Sequence, residues 1–129
     1  MRAVGFAISM LSLQGCAATH ASAPVAPATL SRPDPTVTDP ENYKVSLEND
    51  RVRVLRYHDV PGTKTHLHHH PASVLCALST FERRLTFGNG TSQERVLHDG
   101  DVMWPAQDHL GENIGTTPTD VLLVELKAR

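Results

Sequence analysis

Turn residues punctuate the chain from Tyr43 onward so closely that no long helix fits between them. Asn49-Asp50, Pro61-Gly62, Asn89-Gly90, Asp99-Gly100 and Gly111 separate short runs with no 3.6-residue periodicity. Asn-Gly and Asp-Gly favour tight turns because these residues tolerate positive φ. The runs at 43–47, 51–57, 65–70, 73–78, 82–87, 92–97, 101–104 and 119–126 read as strands. About eight short strands at even spacing predict an all-β sandwich or barrel. An immunoglobulin-like sandwich and a jelly roll satisfy that pattern equally.

The first forty residues follow other rules. Arg2, the apolar residues 3–13 and then Leu13-Gln14-Gly15-Cys16 have the order of a secretory signal peptide, and the apolar run is too short to span a bilayer. Leu13 to Cys16 resembles the bacterial lipobox, in which the Cys is lipidated and becomes the new N-terminus. That resemblance implies a signal peptide at 1–15, lipidation at Cys16, and a protein held at the periplasmic face of a bacterial membrane by its lipid. The alternative is cleavage after Ala21-Ser22-Ala23, which would release a soluble periplasmic protein beginning at Pro24. Residues 16–40 are rich in Ala, Pro, Thr and Ser, and Pro24, Pro27, Pro33, Pro35 and Pro40 work against regular structure, so this stretch is expected to be a disordered tether. One domain, 41–129, remains to build a core. Lipidation of Cys16 would leave Cys76 without a partner, so no disulfide is expected.

A formal charge of -2 with eight histidines provides no strongly basic face, which argues against nucleic acid as a partner. A small-molecule ligand and the membrane are the expected partners, and a small domain with open sheet edges favours a homodimer.

The stretch Gly62-Thr63-Lys64-Thr65-His66-Leu67-His68-His69-His70 carries the chemistry. Side chains alternate along a strand, so His66, His68 and His70 are expected on one face and Leu67 and His69 on the other. Histidines two apart on one face can grip one ion, and neutral imidazole suits Zn, Cu, Fe, Ni and, with oxygen ligands, Mn. Downstream, Gly100, Pro105, His109 and Asn113 bring a further His after a Gly-Asp turn.

Here the chain resembles the cupin superfamily, whose first motif is a glycine, five residues and then H-x-H. Gly62, His68 and His70 fit it. Its second motif runs from a glycine through a proline to a histidine and an asparagine, as Gly100, Pro105, His109 and Asn113 do, with one residue fewer between Gly100 and Pro105. The resemblance implies a single-domain jelly-roll β-barrel in which His68, His70 and His109 hold one divalent metal ion (Fe, Zn, Mn or Ni). It also implies a glutamate ligand at position 74 or 75, where this chain has Val74 and Leu75. Three neutral imidazoles then remain, as in three-histidine dioxygenases; an isomerase-like enzyme or a non-catalytic binding module would use the same set. His66 is expected as a labile fourth ligand or a supporting group, Asn113 as the brace of the loop behind His109, and Cys76 as lining the pocket from the face of residue 74. His58 and His98 read as surface residues, and Arg83 and Arg84 as candidate anchors for an anion. No catalytic residue is legible.

Overall fold

The structure is a computed structural model that describes residues 32–128. The apolar leader, Cys16 and the Ala21-Ser22-Ala23 site lie outside the described residues. One short helical turn, α1 (Pro35–Thr38), precedes nine strands: β1 (Tyr43–Glu48), β2 (Val52–Asp59), β3 (His68–His69), β4 (Ser73–Ala77), β5 (Phe81–Phe87), β6 (Ser92–Leu97), β7 (Val102–Met103), β8 (Asp108–Asn113) and β9 (Thr119–Leu126). Every pairing is antiparallel. One sheet has the order β1-β2-β9-β4-β7 and the other β3-β8-β5-β6. The expected all-β jelly-roll barrel is the architecture observed.

Alternation decides what faces inward. On β2, Leu55, Tyr57 and Asp59 are buried while Arg56 and His58 are exposed; on β9, Val121, Leu123 and Glu125 are buried. With Tyr43, Ala77, Phe81 and Leu97 these apolar residues form the core, each large one contributing about 1.5–3 kcal/mol by leaving water. The Asn89-Gly90 and Asp99-Gly100 turns form as read, with Gly90 at φ 83° and Gly100 at φ 88°, a region that costs other residues steric strain.

Two strand readings need correction. The run 65–70 shrinks to His68–His69, with Lys64 making an isolated bridge to Glu112. β8, which carries His109, was not expected as a strand: Asp-His-Leu-Gly-Glu-Asn lacks β-branched residues, and pairing to β5 and β3 rather than propensity sets its conformation.

The lower part of the expected tether is also corrected. Residues 32–40 pack onto the barrel. The Asp34 side chain accepts from the Thr36 N–H at 2.9 Å and caps α1, with Pro35 at its first position. Asp34 Oδ2 lies 2.6 Å from Arg53 Nη2, Pro35 and Asp39 are buried, and the His69 N–H donates to the Pro33 carbonyl at 2.8 Å. A protein beginning at residue 41 should therefore melt roughly 10 °C below one beginning at residue 32, since losing about 2 kcal/mol moves a domain of this size by that much. Equal melting midpoints in a calorimetric scan would show that this segment only lies against the barrel.

Candidate metal centre

β3 and β8 pair with His68 directly opposite His109, and one residue beyond β3 His70 returns to the same side. His69, between them, points away and bonds to Asp108 on the outer surface at 2.9 Å. His68 and His70 are 1% exposed and His109 8%. The ring centroids are 4.9 Å apart for His68–His70 and His68–His109, and 5.6 Å for His70–His109. One ring nitrogen from each lies within 4.8 Å of the other two.

The outer nitrogens fix which atoms face inward. His68 Nδ1 lies 2.8 Å from the His66 carbonyl, His109 Nδ1 3.0 Å from the Ala106 carbonyl, and His70 Nδ1 2.8 Å from Glu125 Oε1. A carbonyl or carboxylate can only accept, so each Nδ1 carries a proton and Nε2 is the nitrogen left to turn inward. Burial, reinforced by the neighbouring imidazoles, pushes His68 down to about 4 and His109 down to about 3. Both rings are neutral near pH 7, the form that binds metal.

The chain of support runs outward from His70. Burial by itself would raise the Glu125 carboxyl, but its bonds to His70 and Arg53 outweigh that and hold it below the usual range. Arg53 Nε lies 2.6 Å from Glu125 Oε2, and its Nη2 meets Asp34. Asp39, at the end of α1, accepts from the His66 backbone N–H at 3.1 Å and bonds its ring at 2.9 Å. The segment read as a tether therefore braces the histidines. Tyr43 closes the inner side, its hydroxyl donating to His68 Nε2 at 3.1 Å.

Among solved structures, the barrel matches a cupin domain from Bordetella pertussis with a TM-score of 0.61 at 24% identity, covering 77% of this chain and 99% of that one. The fold is that of a cupin domain. A double-stranded β-helix protein from Klebsiella pneumoniae matches with a TM-score of 0.51 at 26% identity, covering 67% and 84%. An RmlC-like cupin from Methanocaldococcus jannaschii matches at 0.54 with 14% identity, covering 65% and 77%. No family model and no curated protein matches the sequence.

Within the cupin barrel, His68, His70 and His109 come together as the motifs imply. His66 does not join them: a bend at Leu67 breaks the alternation, and the His66 ring is 78% exposed on Asp39. Its contribution is the carbonyl that orients His68. Asn113 lies at the far end of β8, where Nδ2 donates to Asp59 Oδ1 and to the Thr117 carbonyl, both at 2.9 Å. It braces the 113–119 turn rather than the loop behind His109. Cys76 is on the opposite face from the one expected: Ser73 and Ala77 are buried, Leu75 lines the cavity, and Cys76 sits half-buried outside it. Leu75 also confirms that no carboxylate stands where the motif places one. Glu125 escaped the sequence reading, although its signal is visible: a lone acid in phase with Thr119, Val121 and Leu123, the one charged residue among the inward positions of its strand.

A cavity of about 60 Å³ adjoins His70 and His109, walled by Leu75, Phe81, Leu85, Leu97, Val121 and Leu123. Arg83 enters it but is committed. Its Nη1 bonds to Asp59, Tyr57 and Thr119, and its guanidinium lies 4.8 Å from the Tyr57 ring centre. Burial alone would raise Asp59, but Arg83 and the donors Tyr57, Asn113 and Thr119 outweigh it and hold the carboxyl low.

Proposed function

We propose that the chain is an exported metal-binding cupin in which Nε2 of His68, His70 and His109 hold one divalent ion, Fe, Zn, Mn or Ni, beside a cavity for a small polar molecule. One observation carries this: three buried imidazoles bring one ring nitrogen each within 4.8 Å of the other two while each Nδ1 is tied to an acceptor. The donor set fits a borderline metal, having three nitrogens and no thiolate. An ion held by neutral ligands would keep its full charge and open positions, and would supply Lewis acidity to a ligand bound there. This is the arrangement of a three-histidine enzyme of dioxygenase or isomerase type. Tyr43, whose hydroxyl burial raises well above its usual range, stays protonated; its O–H meets His68 Nε2, so an ion taking that nitrogen would free the O–H to donate to a water or anion bound beside it.

A second reading, non-catalytic capture of a metal or metabolite, is favoured by the state of the inward carboxylates. Asp59 is bonded to Arg83, Tyr57 and Asn113, and Glu125 to His70 and Arg53, so neither is free to act as a general base. Metal analysis of protein made without an affinity tag, followed by titration with Zn, Fe, Mn and Ni, tests the shared core of both readings. One equivalent per chain is expected; less than a tenth with every metal would remove it.

Export as a lipoprotein to the periplasmic face of a bacterial membrane is supported by Arg2, the apolar residues 3–13 and Leu13-Gln14-Gly15-Cys16. Among the described residues no helix is long and apolar enough to cross a membrane. Intact-mass measurement of membrane-extracted protein should find an acylated Cys16 as the first residue. An N-terminus at Pro24 would make it a soluble periplasmic protein instead.

A further inference from the structure

β5 and β6 set Arg83 and Arg95 directly opposite one another on the face that lines the cavity. Like charges facing each other across a ladder destabilise a sheet. Asp59 neutralises Arg83. On the outer face, Arg84 is matched by Glu94 and Glu112. Arg95 has no such partner among the described residues: its contacts are Gln93 Oε1 at 3.0 Å and Met103 Sδ at 4.0 Å, neither of them charged. One positive charge, on an exposed side chain at the rim of the cavity, is thus left over.

Its position says what could answer it. β6 is the outer strand of one sheet and β7, bearing Met103, the outer strand of the other. Arg95 therefore reaches across the gap between the sheets where the cavity opens, its Nη1 at Met103 Sδ and its side chain exposed to water. The cavity behind it is small, about 60 Å³, space for on the order of four to six water-sized groups. Apart from the histidines, the Tyr43 and Tyr57 hydroxyls, Thr119 and the committed Arg83, its walls are apolar.

We propose that the ligand of this cavity is a small aliphatic monocarboxylate, its carboxylate held by Arg95 at the mouth and its short apolar body between Leu85, Leu97 and Met103, directed toward His70 and His109. This rests on the metal-centre reading for what happens at the inner end, but not for the recognition of the anion. The uncompensated Arg95 is then a specificity device that costs stability in the free protein, a pattern expected at functional sites.

The test uses the full mature chain, metal-free and zinc-loaded, with metal content measured on the same samples. Butyrate is titrated against its neutral counterpart butyramide and against inorganic phosphate, followed by calorimetry and by the fluorescence of Trp104. This is the single tryptophan, and its neighbours Met103 and Pro105 line the cavity. Butyrate should bind at least tenfold more tightly than butyramide or phosphate, in the metal-free protein as well as the loaded one. Arg95→Gln should erase the preference over butyramide, Arg95→Lys should keep part of it, and ligand-free Arg95→Gln protein should melt no lower than the parent. Equal binding of butyrate and butyramide, or an unchanged preference in Arg95→Gln, overturns the proposal. If the preference fails while one metal is bound, only this inference falls. If it holds while no metal binds, only the metal centre falls.

Discussion

His70→Ala protein should emerge from dialysis without metal, whereas His69→Ala protein should keep a full equivalent. The two residues are adjacent and chemically identical, so the contrast isolates facing. His70 Nε2 turns to the common point with His68 and His109, while His69 faces Asp108 outside. A structural zinc site is worth about 10–16 kcal/mol over four donors, so one imidazole carries about 3 kcal/mol and its loss weakens binding by a factor on the order of a hundred or more. His68→Ala and His109→Ala should behave like His70→Ala. Glu125→Gln should fall between, with a loss of about 10–100-fold, because it removes the charge that orients His70 but no ligand. His66→Ala should be nearly silent, since that ring touches only Asp39. Equal loss from His69→Ala would reduce the site to a loose histidine patch.

Asp59→Asn should lower the unfolding free energy by roughly 3–5 kcal/mol, because it leaves the buried Arg83 guanidinium without a counter-charge. Set against a typical total of about 5–15 kcal/mol, that is enough to bring the domain close to unfolding at ordinary temperature. Removing the second charge as well, Asp59→Asn with Arg83→Met, should recover much of the loss, since no unpaired charge is then buried and the amide oxygen introduced at position 59 still accepts from Asn113 and the Thr119 N–H. Urea denaturation of the three proteins decides the matter, and a cost under about 1 kcal/mol for the single change would mean that water reaches Arg83. Acid acts on the same group in the parent. Because the folded state depresses the Asp59 carboxyl, its contribution is present above the ordinary carboxylate range near pH 4 and is lost as pH falls through its lowered value.

The strands and the metal-site histidines were legible in the sequence for different reasons. The strands showed through their punctuation, with Asn89-Gly90 and Asp99-Gly100 falling in tight turns as read. His68 and His70 showed because a two-residue spacing has one meaning on a strand. The same rule failed one step away, at His66, because alternation holds only while the backbone is extended and the bend at Leu67 resets it. Cys76 failed through phase: nothing local says which of Val74 or Leu75 faces inward until β4 is placed between β7 and β9. Glu125 stands 55 residues from His70, and only the pairing of distant strands brings them together. The packed end of the tether did carry a local signal, Asp34 followed by Pro35, an N-cap and first-turn pair hidden among prolines read as breakers.

The brevity of β3 bears on exchange kinetics. Two of the three histidines sit on or beside a two-residue edge strand that pairs only with β8, held further by the His69 N–H on Pro33 and the His70 N–H on Gln107. Short, solvent-facing pairings open far more often than a whole barrel unfolds. An ion would then enter and leave through the fraying of this edge, at a rate set by a handful of backbone bonds while the core of Leu55, Phe81 and Leu123 stays shut. Residues 32–34 lie across that edge, and their release would act as an unlocking step.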